Sequence, residues 1–342
     1  MSTPLETFDA LIAAFRGTPR ADTDWQAVLG LANQSLTVTT LAARLRDHGA
    51  AVPDEVSRFL AVVVERNRIR NARMRRQLAE AIACLSAGGI GAVAIKGAAI
   101  LAQASDRTLG DRILSDLDLL VAPEDFGRAR DLLLASGYAL SPAGDPYQLV
   151  AVLGRPDHVG TIDLHGRVTG LTGLDPRAGA RLVPLEGTAV AVPSPTAQIA
   201  ILLAHDILRG RDYLWGLFDL RHLADMDDLA RSDEAPDWQA VAAALPPWIT
   251  TALRTQLLSL RRLFDSRVAI RCAMLWRARL HFHRRRLQIA YPRLMPALVL
   301  ASIASDPFYL PARRASLVDG RPPKRAMGAG RRLRTASLIG KA

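Results

Sequence analysis

Ser115-Asp116-Leu117-Asp118-Leu119-Leu120-Val121 sets two carboxylates one residue apart at the mouth of an apolar run. On a β-strand, residues i and i+2 share a face. The spacing predicts that Asp116 and Asp118 aim at one spot while Leu117, Leu119 and Val121 enter a core. Two like charges held that close cost energy unless a cation lies between them. A hard divalent ion, Mg²⁺ or alternatively Mn²⁺, suits such oxygen donors and usually brings substrate phosphates with it.

Working outward, Gly91 to Ile95 reads as a short apolar strand, Lys96-Gly97 punctuates it, and the following Ala-rich segment reads as a helix. A helix N-terminus offers free backbone N–H groups and the positive end of a dipole, which suits a phosphate. Gly97 would let the backbone approach closely, and Lys96 would add a point charge. An ion pair from Lys96 to Asp116 or Asp118 is the alternative. Arg112, four residues before Asp116, would reach the same anion, unless it pairs with Asp106 or Asp111. Ser115 joins this set of nucleotide-binding candidates. Downstream, Thr161-Ile-Asp163-Leu-His165 places an acid in an apolar strand. Three carboxylates from neighbouring strands would make a divalent-metal site able to hold a triphosphate and activate an attacking oxygen. His165 shares a face with Asp163 and would orient a carboxylate or simply pack.

Composition narrows the class. At 342 residues, with 49% hydrophobic and 23% charged residues, the chain reads as ordinary globular protein large enough for two or three subdomains. Cys84 and Cys272 lie in no metal-ligand spacing, so a reduced cytoplasmic setting is expected. The acidic N-terminus lacks the pattern of a secretory signal, and no run of ~18 uncharged apolar residues predicts a membrane span. The net charge of +11 sits largely in residues 311–342, which hold nine basic residues and one acidic residue. That stretch, rich in Pro, Gly, Ser and Arg, reads as a disordered tail that could touch a polyanion. Only three of the 44 basic residues are lysines, and Lys96 alone precedes the tail. A site needing a compact ammonium instead of a guanidinium fork would explain that.

Residues 1–87 read as an N-terminal helical region. It ends in a long helix from Pro53 to Gly88-Gly89 with an arginine-rich face (Arg66, Arg68, Arg70, Arg73, Arg75, Arg76). Residues 88–193 read as a mixed α/β core, with a βαβα opening and an antiparallel continuation. Ser194-Pro195 opens a C-terminal helical domain over 194–310. Within it, His205 and Asp219 are expected to hydrogen-bond helix to helix. Trp215 and Phe218 are expected in the core, with a base pocket as the alternative.

The run I-K-G-A-A, then R-x-x-S-D-L-D-L-L-V-x-P-x-D, A-x-x-L-L-x-x-S-G-Y and T-I-D-L-H resembles the uncharacterised nucleotidyltransferase family, a branch of the DNA polymerase β-like superfamily. The resemblance covers roughly residues 55–230 and extends to Ala204-His205 and Phe218-Asp219-Leu220. It implies an α+β polymerase-β-like core with flanking helices. It also implies two Mg²⁺ held by Asp116, Asp118 and Asp163 as catalytic residues, nucleoside triphosphate near Gly97, and in-line attack on the α-phosphate. The turn Lys96-Gly97-Ala98-Ala99 lacks the Gly-Ser of the wider superfamily and has the Lys-Gly form of the narrower one. AMP is the default group moved from ATP to an acceptor that could be a small molecule, a peptide, a protein or RNA. Two rivals are an Asp-x-Asp glycosyltransferase using a nucleotide-sugar, and an inert nucleotide- or nucleic-acid-binding module. The first needs a longer Rossmann-like half before the motif, and the complete carboxylate triad argues against the second.

Overall fold

The segment after Pro53 forms one continuous helix, α4 (Asp54–Ala87), and the rest of the chain is arranged along it. The computed structural model describes residues 2–145, 149–269 and 275–305; the basic tail and Cys272 lie outside the described residues. Before α4 come α1 (Pro4–Phe15), α2 (Trp25–Gln34) and α3 (Val38–Asp47). Thr3 and Glu6 close a reciprocal capping box on α1, and Asp24 caps α2. After α4 the chain runs β1 (Val93–Ala94), α5 (Lys96–Gln103), β2 (Asp116–Leu120), α6 (Phe126–Ala135), β3 (Ala139–Asp145), β4 (Val150–Gly154), β5 (Thr161–His165), β6 (Arg181–Leu185) and β7 (Thr188–Val192). Helices α7 (Pro195–Ala204), α8 (Asp212–Trp215), α9 (Leu220–Ala230), α10 (Trp238–Ala243), α11 (Thr250–Phe264), α12 (Leu275–Ala290) and α13 (Met295–Ser305) complete it.

The strands make one mixed sheet in the order β3-β4-β5-β2-β1-β7-β6. β2 and β5 pair in parallel, as do β1 and β7; the other neighbours are antiparallel. The mixed sheet with flanking helices agrees with the α+β expectation. The β6–β7 hairpin was not foreseen. Its two-residue turn puts both Glu186 and Gly187 at positive φ, the geometry that matches the twist of the flanking strands. Glu186 is a poor residue for that turn, where Asn-Gly or Asp-Gly is the usual signal, so residue type does not announce the hairpin. The predicted first strand also shrinks to two residues, because Ile95 already leads into α5.

Helix α4 spans two hydrophobic cores. Val56 and Leu60 belong to an all-helical core built from α1–α3 together with α7, α9, α11 and α12. Met74, Leu78, Ile82 and Leu85 belong to a second core under the sheet, with Leu117, Leu119, Val121, Leu153, Ile162 and Leu164. The two helical regions read separately from sequence therefore bury their apolar faces against each other, although a sheet separates them along the chain. At ~1.5 Å per residue, the 34 residues of α4 reach about 50 Å, enough to span both cores. No described helix is long and apolar enough to cross a membrane.

Candidate active site

Register decides the site. In the parallel β2–β5 ladder Asp118 stands directly opposite Asp163, and Asp116 opposite Thr161. Leu117, Leu119, Ile162 and Leu164 are fully buried on one face, so Asp116, Asp118, Asp163 and His165 share the other. One ligand atom each from Asp118, Asp163 and His165 lies within 4.8 Å of the other two. Asp116 sits on the same strand face toward solvent, half-buried, with the exposed Ser115 Oγ donating to its Oδ1 at 3.1 Å.

Helix α4 places the entries of both acid-bearing strands. Asn67 Nδ2 donates to the carbonyls of Gly110 and Arg112 at 2.9 and 3.0 Å, and Asn71 Nδ2 to those of Leu109 and Arg112 at 2.7 and 2.9 Å. These bonds fix the segment that feeds β2. One turn and a half further on, Gln77 Nε2 donates to Gly160 O at 2.7 Å, ahead of β5. All three amides are buried, and a buried amide aimed at irregular backbone satisfies carbonyls that no ladder can reach. Sequence reading missed them. The signal was there, since Asn67, Asn71 and Gln77 interrupt the buried face of an otherwise apolar helix pattern.

Asp118 is only 5% exposed. It accepts from Lys96 Nζ at 2.7 Å, and His165 Nε2 lies 2.8 Å from the same oxygen. Burial by itself would raise this carboxyl, but the Lys96 ammonium and His165 outweigh it and hold the group well below the usual carboxylate range. Asp163 has no such cation. Burial first, then the charges of Asp118 and Asp116, push it up to about 6. The site thus holds one fully compensated carboxylate beside one whose ionisation is opposed, and the negative charge is incompletely neutralised by protein groups.

The rare lysine is used, and it takes the ion-pair alternative. Lys96 also carries the backbone strain of the turn, with φ at +52°. Gly97 does not adopt positive φ; it is glycine because a Cβ there would stand 2.6 Å from Leu114 Cδ2. Ile95, the residue before α5, supplies no side-chain cap, and of the first-turn amides that of Ala98 donates to Ile95 O at 3.2 Å.

Arg112 departs from its expected role. Its guanidinium forks onto Asp225 of α9, with Nε at 2.7 Å from Oδ1 and Nη2 at 2.6 Å from Oδ2, and Nη1 donates to Ile113 O at 2.6 Å. Both side chains are buried. Neither Asp106 nor Asp111 is the partner; Asp111 pairs with Arg46 at 2.8 Å. Arg112 thus ties the approach to β2 to the helical core, 113 residues downstream, instead of projecting toward a phosphate. On the arginine-rich face of α4, Arg68 pairs with Glu65, and Arg70 and Arg75 donate to the carbonyls of Leu114 and Ala104. Phe218 stacks on Phe8 with ring centroids 5.4 Å apart, a core contact.

Only the two residues of β1 precede β2 as strand, so the Rossmann-like half that a nucleotide-sugar transferase needs is absent among the described residues. A comparison with curated proteins finds no match. Paired acids on adjacent parallel strands, beside the start of a helix, form an arrangement suited to a metal-bound triphosphate. In keeping with it, residues 21–265 match the family described as uncharacterised nucleotidyltransferase, and over that span, well beyond half its length, the chain belongs to this family.

Proposed function

We propose that the protein transfers a nucleoside monophosphate, AMP by default, from a nucleoside triphosphate to an acceptor, with release of pyrophosphate. The observation that carries this is the Asp118–Asp163 register, which brings two carboxylates together with Asp116 on one face of paired parallel strands. The residues fit a divalent cation. Asp116 and Asp163 offer hard oxygen donors, and the opposed ionisation of Asp163 is what a bound cation would relieve. Asp116, Asp118 and Asp163 would hold Mg²⁺ or Mn²⁺, which supplies charge neutralisation for the phosphates when bound.

The chain's own groups then divide the work. Lys96 and His165 hold Asp118 ionised and fixed in place. The start of α5, whose Lys96 contacts Asp118, would receive phosphate oxygens at Lys96 and at the Gly97 N–H. Ser115, at the rim, orients Asp116. Asp163 would bind the cation and help take the acceptor's proton. An acceptor oxygen would bond to the α-phosphorus as the bond from that phosphorus to the β-bridging oxygen breaks, and pyrophosphate would leave with that oxygen's electrons.

The test uses α-labelled nucleoside triphosphates, Mg²⁺ and a cell extract as acceptor source, with pyrophosphate release and labelled product both measured. Asp116→Asn with Asp118→Asn should abolish both signals in a protein that still folds. Equal labelling by that variant, or labelling that persists in EDTA, would overturn the proposal.

A further inference from the structure

A second group of metal-ligating side chains lies outside the carboxylate site, where the helical half meets the sheet. Helix α7 ends at Ala204, and the chain continues through one π-helical turn, His205–Arg209. Such turns re-aim side chains and recur at functional sites. Here His205 and Asp206 are turned toward α9, which contributes Asp219 at its N-cap and His222 one turn in.

Two separations among these side chains have the length found between ligands of one ion. His205 Nδ1 is buried and has no hydrogen-bond partner. It stands 3.5 Å from Asp206 Oδ1, and His222 Nδ1 stands 3.4 Å from Asp219 Oδ2. Four ligands each ~2.0–2.1 Å from a central ion in a tetrahedron are separated by about 3.3 Å, so both gaps have that length. Only the 2.6 Å contact between His222 Nδ1 and Asp206 Oδ1 is an ordinary hydrogen bond, and it would open by under 1 Å around an ion. The ligand atoms of His205, Asp206 and His222 all lie within 4.8 Å of one another, as do single oxygens of Asp206, Asp212 and Asp219. His222 and Asp206 are 3% and 1% exposed, and Asp206 is held from behind by Gln256 Nε2 at 3.1 Å, the outer support that a ligating carboxylate normally has.

We infer that His205, Asp206, Asp219 and His222 form a binding site for a divalent transition metal of the zinc type, distinct from the carboxylate triad. Two imidazole nitrogens with two carboxylate oxygens favour Zn²⁺ or Co²⁺ over Mg²⁺, which prefers oxygen alone. Asp206 lies in the π turn and Asp219 caps α9, so an ion here would lock that turn against α9. The inference stands independently of what the triad does.

The experiment titrates metal alone into full-length, chelator-stripped protein carrying Asp116→Asn and Asp118→Asn, so the triad cannot supply the ligands. Co²⁺ is the probe, read by its visible absorption, with displacement by Zn²⁺. One equivalent should bind with the spectrum of a four-coordinate nitrogen–oxygen site. His205→Ala, at a side chain 29% exposed, should weaken binding by about tenfold or more, with circular dichroism unchanged. Asp219→Asn, at a half-buried N-cap, provides a second variant with the same expectation. Absence of stoichiometric binding, or binding unaltered in both variants, would overturn the inference.

Discussion

Replacing Asp163 by Asn tests whether the sheet really opposes a third negative charge. Folding moves this carboxyl from the ordinary 3.8 up to about 6, through burial first and then the charges of Asp118 and Asp116. For an acid raised in this way, the folded protein keeps its proton to a higher pH than the unfolded chain does. The associated stability is complete below 3.8 and is lost as the pH climbs through about 6. The whole displacement is worth about 3 kcal/mol. Of this, about 1.4 kcal/mol falls between pH 5 and pH 8, because at pH 5 the folded group is mostly protonated and the unfolded group mostly not. Asn has no such titration. Urea unfolding in EDTA should therefore show the native protein losing about 1.4 kcal/mol relative to Asp163→Asn on going from pH 5 to pH 8. Adding Mg²⁺ at pH 8 should recover stability in the native protein and not in the variant, and the variant should release no pyrophosphate. Parallel stability profiles from pH 5 to pH 8 would refute the electrostatic reading of the site.

Lys96→Met leaves Asp118 buried with only His165 beside it and should lower stability by about 3–5 kcal/mol, read as a fall in the urea midpoint. Arg112→Ala and Asp225→Asn should each cost about 3–5 kcal/mol, with the double variant no worse than the single ones, since each single change strands the other member of the pair and the double change strands neither. Asn71→Ala takes the amide donor from the Leu109 carbonyl and leaves that of Arg112 with Asn67 alone; it should cost about 1–3 kcal/mol while lowering nucleotidyl transfer through a displaced β2. Gly110→Ala forces a Cβ to 2.7 Å from the carbonyl oxygen of Val64 and should destabilise more than Gly91→Ala, where nothing stands within 4 Å, by thermal melting of the two side by side.

The pattern Asp116-Leu-Asp118-Leu-Leu could be read without a structure because β geometry makes every second side chain point the same way, and this holds locally. The same local logic reached α4, with Pro53 before it and Gly88-Gly89 after it, and α7, with Ser194 at its cap. It also placed Asp163 on a strand of its own. What it could not supply was any fact that depends on which strands and helices meet. The direct opposition of Asp118 and Asp163 is a property of register between segments 45 residues apart. The partner of Arg112 lies on α9, so residues near it in sequence gave the wrong candidates. The amides of Asn67, Asn71 and Gln77 gain meaning only when the backbone they hold comes alongside. The pairing of His222 with Asp206 depends on a π turn that no residue type announces. Side-chain direction along one element is set by backbone periodicity, and the sequence alone determined it. Charge compensation at Asp118, its lack at Asp163 and the gathering of two histidines and two acids are set by distances between elements. Only tertiary packing decided those.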